Sequence, residues 1–150
     1  MAAVVIRSAA DVPRTVCGLL GFVPTDSVVV LGLGPITPAA RFDIGHDMLA
    51  SAHEVVERFR RHSVTQGILA IFTDREPNVL VEIMTELFEV LGFDLLDVVT
   101  ADGERVTGRD GEPMPYLVEA LGTREEFARS HGFDPGEAFV VGTEPEVPRL

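Results

Sequence analysis

The chain has 150 residues, of which 46% are apolar and 24% charged; this fits one globular domain, and no apolar run reaches the ~18–20 residues of a membrane helix. Its net charge of −12 sets 24 acidic residues against 12 cations, all of them arginine, which argues against binding nucleic-acid phosphates and removes lysine-dependent chemistry: Walker-type phosphate loops and Schiff bases. A single cysteine, Cys17, precludes an internal disulfide and places the expected compartment in the cytoplasm, while the lack of tryptophan and the lone Tyr116 leave no stacking platform for single-stranded nucleic acid.

The N-terminus shows no basic stretch followed by a long apolar run, so no secretory signal is read there. Ala3 to Ile6 is a short β-rich start. Ser8 with Asp11 resembles a capping box, and Val12, Val16, Leu19 and Leu20 then share a helical face. Pro13 fits only a first turn, which moves the helix start to Asp11, and Gly21 is the expected stop. Ser27 to Leu33 is apolar on both faces, as in a central buried strand. Gly34-Pro35 turns the chain, and Ala39 to Ile44 returns as an antiparallel neighbour carrying Arg41 and Asp43.

Met48, Leu49, Ala52, Val55, Val56 and Phe59 recur at helical spacing, while Glu54, Glu57, Arg58, Arg60 and Arg61 face away. Asp47 at the start and the arginines at the end suit the helix dipole. Gly67 to Phe72 is a second buried strand, ending at Thr73-Asp74. Pro77 opens a helix whose face is read as Val79, Leu80, Ile83, Leu87, Phe88 and Leu91, closed by Gly92. Leu95 to Thr100 is a third apolar strand, and the Asp102-Gly103 turn returns Glu104 to Thr107 as a hairpin. Gly108 to Pro115 is turn-like, Tyr116 to Leu121 a short helix, and Thr123 to Glu126 a capping box for a helix ending near Gly132. Asp134 to Gly136 is a turn, Ala138 to Val141 a late strand, and residues 143–150 a fraying tail behind a domain of residues 1–142.

Strands alternating with helices indicate a single α/β domain, with a mixed, mostly parallel sheet packed by amphipathic helices. Within it, Gly32-Leu33-Gly34 follows a strand as a dinucleotide fingerprint would. The fingerprint's third glycine position holds Thr37, however, and Pro35 and Pro38 remove the helix and the N–H donors that a pyrophosphate needs, so a tight turn is the better reading. Cys17 has no flanking histidine and reads as a packed thiol. His46, His53 and His62 have no partners at metal-ligand spacing, and neither a metalloprotease helix nor a serine-hydrolase elbow is present, so no metal and no cofactor are expected. Polar residues at strand ends remain as ligand-binding candidates: Asp26, Ser27, Arg41, Asp43, Thr73 and Asp74. Each also has a local explanation. Thr73-Asp74-Arg75-Glu76 after one strand and Asp102 after another could set carboxylates together for a metal or for acid–base work, but Asp74 and Glu76, before Pro77, can cap the helix that follows, Asp102 makes a turn with Gly103, and Arg41 and Asp43 share one strand face as an ion pair.

The segment Leu19 to Leu33, LLGFVPTDSVVVLGL, resembles the signature of a family of bacterial proteins of unknown function found in high-GC actinobacteria and their phages. Arg41-Phe42-Asp43 matches the Arg-x-Asp strand that follows in that family, and Ile71-Phe72-Thr73-Asp74 matches its later strand end. The resemblance covers about the first hundred residues. Longer relatives carry a Trp- and Cys-containing stretch where this chain has Gly103 to Met114 with neither residue. The resemblance implies an α/β domain of GC-rich bacterial or phage source and no particular activity. The expected function is therefore a small cytoplasmic binding or protein-interaction module without catalysis, which contacts another protein or a second copy of itself and binds neither nucleic acid nor membrane. The alternative is a small-molecule or nucleotide-binding protein, or an enzyme, with a polar pocket at strand ends.

Overall fold

A strand that is apolar on both faces needs cover on both sides, and the sequence around Ser27 obtains it at the centre of a sheet. The structure is a computed structural model that describes residues 11–20, 24–45, 47–102, 105–108, 114–115 and 138–140. β1 (Ser27–Gly32) lies between β2 (Ala39–Asp43) and β3 (Gln66–Phe72) and is antiparallel to both. β4 (Asp94–Ala101) runs parallel to β3. β5 (Arg105–Thr107) and β6 (Met114–Pro115) fold back antiparallel beyond it, and β7 (Ala138–Val140) pairs parallel with β2 on the far edge. The order across the seven-stranded sheet is β6-β5-β4-β3-β1-β2-β7.

Side chains alternate across β1. Val28 and Val30 join the core under α2 (Met48–Arg60) and α3 (Asn78–Val90), while Val29 and Leu31 join the core under α1 (Asp11–Leu20). Two ring contacts seal the α2–α3 side: Phe93 meets Phe59 at 6.0 Å and Phe88 edge-on at 5.8 Å, centroid to centroid. Such pairs add ~0.5–1.5 kcal/mol beyond their buried area. Helix α1, described from Asp11 on, carries Pro13 near that end and buries Val12, Val16, Cys17 and Leu20.

The mixed α/β architecture agrees with the sequence reading, but the sheet is mostly antiparallel, not mostly parallel. Of the six strand pairings among the described residues, four are antiparallel and two parallel. The cause is the route of α2. The tight return from β1 makes β2 antiparallel to it, and α2 then carries the chain over β1. β3 thus lands parallel in direction to β2 but beside β1, with which it pairs antiparallel. Among the described residues, the β3–α3–β4 unit gives parallel neighbours by a helical crossover.

Two further expectations shift. The buried face of α3 centres on Met84 and Phe88, with Leu80, Val81, Leu87 and Leu91 partly buried around them; Val79 and Ile83 stay outside. Spacing alone admitted either face because α3 is apolar around much of its circumference. Leu49 likewise points outward from α2, whose core face is Ala52, Val55, Val56 and Phe59. Met114–Pro115, read as a turn, is the short strand β6, at an outer position where a proline is tolerated. The Ala3–Ile6 strand, the Ser8 cap, the Gly21 stop, the helices placed over residues 116–132, the Asp134–Gly136 turn and the tail from Thr143 lie outside the described residues. No helix among the described residues is long and apolar enough to cross a membrane.

Candidate functional site

β1 begins where β3 ends, so the sheet brings the Asp26-Ser27 pair beside Thr73. Ser27 is fully buried, and its hydroxyl is used twice: it donates to the Thr25 carbonyl at 2.7 Å and accepts from Arg41 Nε at 2.9 Å. Arg41, buried on β2, also donates to Asp43 Oδ1 at 2.6 Å. A buried guanidinium needs such partners, because an uncompensated charge in the interior costs several kcal/mol (about 3–5 when one partner is removed). Period-two alternation puts Arg41 and Asp43 on the same face, so the ion pair follows from the strand itself.

Asp26 adopts a left-handed backbone with φ 44°, a region that aspartate tolerates better than most residues. The turn it makes lets its carbonyl accept from Ile44 N–H at 3.0 Å and aims its carboxylate at the end of β3. There Asp26 Oδ1 accepts from the Thr73 hydroxyl at 3.3 Å and from the Arg75 guanidinium at 3.5 Å. Thr73 Oγ1 in turn accepts the Arg75 N–H at 3.2 Å, and the Thr73 N–H donates to the Ala101 carbonyl at 2.9 Å. The ends of β3 and β4 are thereby tied together.

Beyond these parallel strand ends a cleft of about 320 Å³ opens between the β3–α3 connection and the β4–β5 hairpin. One wall is Thr73, Asp74, Arg75, Glu76 and Pro77; the other is Thr100, Ala101, Asp102, Arg105 and Thr107. Thr100 and Thr107 are direct cross-strand partners, so their side chains share one face of the sheet and both line the cleft. The hairpin is fixed by Asp102, whose N–H donates to the Arg105 carbonyl at 3.1 Å while its carboxylate accepts the Arg105 N–H at 2.8 Å. On the other wall, Glu76 Oε1 accepts the Asn78 N–H at 3.0 Å and so supports the first turn of α3.

Of the six candidates read from the sequence, Thr73 and Asp74 line this cleft. Asp26 reaches it through its bonds to Thr73 and Arg75. Ser27, Arg41 and Asp43 form a second group one strand further along, joined to the first through the Asp26-Ser27 peptide, and do not line the cleft. Arg75 belongs to the Thr73–Glu76 strand end but was not among the six, and Thr100, Arg105 and Thr107 were missed. The hairpin signal at Asp102-Gly103 could have found the last two, since Arg105 and Thr107 must share one face of the returning strand.

The other motifs have structural explanations. A β-carbon on Gly67 would collide with the Leu31 carbonyl, and one on Gly32 would approach Val64 Cγ1 to 2.7 Å, so these glycines serve close packing of strand on strand and strand on loop. Burial pushes the Cys17 thiol up to about 12, which leaves it protonated and unreactive at neutral pH. Arg58 and Arg60 pair with Glu54 and Glu57 along α2, and Arg60 also donates to the Leu91 carbonyl at the end of α3. No group of three or more metal-ligating side chains occurs among the described residues.

No curated protein and no solved structure matches the chain. A family model described as a domain of unknown function (DUF4192) matches residues 10–113, a span that holds the polar end of β1, both walls of the cleft and the glycine-packed end alike. The chain belongs to this DUF4192 family.

Proposed function

We propose that this protein is a small binding module and that the cleft beyond β3 and β4 is its ligand seat, taking a small polar molecule. The observation that carries the reading is the placement of a cleft of about 320 Å³ beyond the carboxyl ends of two parallel strands, where α/β sheets hold their ligands. Its size falls at the lower end of small-molecule sites, which span ~300–1,000 Å³. Its lining of hydroxyls, carboxylates and guanidiniums suits hydrogen-bonded recognition and, among the described residues, contains neither histidine nor cysteine, which favours binding over turnover. We place the protein in the cytoplasm of a GC-rich bacterium or its phage, because arginine supplies every cation and the only cysteine is a buried free thiol.

A thermal-shift screen of the wild type against amino acids, nucleotides, sugar phosphates and divalent metals tests the reading, with the cleft-filling Thr107→Phe variant as control. A ligand at a hundred times its dissociation constant stabilises by ~2.7 kcal/mol, which raises the melting temperature by about 5–10 °C at this chain length. The expected result is such a shift in the wild type and none in Thr107→Phe. A flat response to every compound, or equal shifts in both proteins, would overturn the cleft as the seat and leave protein contact as the function.

A further inference from the structure

We infer that the ligand of this cleft is a zwitterion of the α-amino-acid type, its carboxylate held by Arg105 and its ammonium by Asp74; the inference rests on the cleft being the binding seat. Among the described residues five charged side chains line the cleft, and three of them are engaged with the protein. Arg75 donates to Asp26, Glu76 accepts from the Asn78 N–H, and Asp102 accepts from the Arg105 N–H. The other two stand differently. Among the described residues, neither the Asp74 carboxylate nor the Arg105 guanidinium has a hydrogen-bond or ion-pair partner.

These two groups carry opposite charge and come from opposite walls, Asp74 from the β3–α3 connection and Arg105 from β5. They do not pair with each other across the gap. A ligand with a single charge would satisfy one of them and bring its own charge toward the unlike requirement of the other. A molecule with both charges satisfies both, each through a charge-assisted hydrogen bond, and arginine can meet a carboxylate through two parallel bonds. The threonine hydroxyls of Thr100 and Thr107, each able to donate and accept, fit the polar groups between the two charged ends.

Titration calorimetry on the full chain tests this with the twenty α-amino acids, inorganic phosphate, and the one-charge analogues of alanine: lactate, which lacks the ammonium, and alaninol, which lacks the carboxylate. The expected result is that at least one amino acid binds and that deleting either charged group from the ligand weakens binding by about tenfold to a hundredfold, the range of one charge-assisted bond. Arg105→Gln should reproduce the loss caused by removing the carboxylate, and Asp74→Asn the loss caused by removing the ammonium. In each variant the matching ligand deletion should then have little further effect. Both side chains are exposed, so both variants should melt within a few degrees of the wild type. Equal binding of lactate and alanine, binding of phosphate alone, or amino-acid binding unaffected by both substitutions would overturn the zwitterion. In those cases loss of binding in Thr107→Phe would still uphold the cleft, whereas persistence of binding in Thr107→Phe, or silence from every compound in the wider screen, would overturn both.

Discussion

The two ends of β1 are made of opposite materials. At Ser27 the strand enters a polar network in which a buried hydroxyl, a buried guanidinium and the Asp43 carboxylate are joined by directed bonds, next to the Asp26 carboxylate that accepts from Thr73. At Gly32 it leaves the sheet opposite Gly67, with backbone close to backbone and the space for side chains taken by Val64, Phe59 and Pro38. The strand between is buried throughout and serves both ends equally. The contrast separates two uses of a strand end. The glycine end fixes distance between main chains. The polar end fixes direction, and through Asp26 and Thr73 it shapes the wall of the cleft.

If that division holds, the glycine end should be sensitive in stability and silent in binding. Gly67→Val gives the largest effect, since its β-carbon meets a carbonyl oxygen of the neighbouring strand and neither main chain can retreat without breaking the ladder. Destabilisation of about 3 kcal/mol or more is expected, the upper range of overpacking, read as a lower urea midpoint at unchanged m. Gly32→Ala should cost less, about 1–2 kcal/mol, because the atoms in its way belong to side chains rather than to the neighbouring main chain. A Gly67→Val protein as stable as the wild type would show that the close approach of β1 and β3 is not what requires the glycine.

Next in size stands the polar network away from the cleft. Arg41→Met removes the donor to Ser27 and the partner of Asp43 while keeping much of the buried volume. The Asp43 side chain is 48% exposed and can rehydrate, so the loss should be about 2 kcal/mol rather than the full cost of orphaning a buried charge. Because Arg41 does not line the cleft, any ligand-induced thermal shift should survive the substitution. Loss of that shift in a folded Arg41→Met protein would join the two polar groups into one site.

Much of this was legible in the sequence, and the parts that were not share a cause. The helices over Asp11–Leu20, Met48–Arg60 and Asn78–Val90 follow from local periodicity and turn residues, which each segment carries within itself. The antiparallel β1–β3 pairing is not local. Whether α2 returns the chain beside β2 or beyond β1 depends on where its Val55, Val56 and Phe59 find cover, and nothing in the order of elements states it. The site divides in the same way. Asp26, Thr73 and Asp74 stood out because they flank apolar runs, whereas for Arg105 and Thr107 the hairpin signal only puts them on one face of the returning strand, and that this face lines the cleft is shown by the pairing of β5 with β4 at Thr100.

The smallest effects belong to Asp26, and there the order of three variants carries more than any single value. Its carboxylate accepts two bonds, but Arg75 at 3.5 Å is an exposed partner, and such pairs are worth only ~0–1 kcal/mol. Its left-handed backbone opposes that gain. Asp26→Ala loses the bonds and keeps the strain, and should cost about 1 kcal/mol by urea denaturation; Asp26→Asn keeps an acceptor and a side chain that tolerates this backbone, and should cost about half that or less. Asp26→Gly loses the bonds and relieves the strain, and should fall between them. A glycine variant equal to the alanine variant would assign the residue's role to its carboxylate. One more stable than the wild type would mean that strain at the entrance of β1 is retained against stability, as it is where a residue serves to set the position of a functional wall, here that of Thr73 and Arg75.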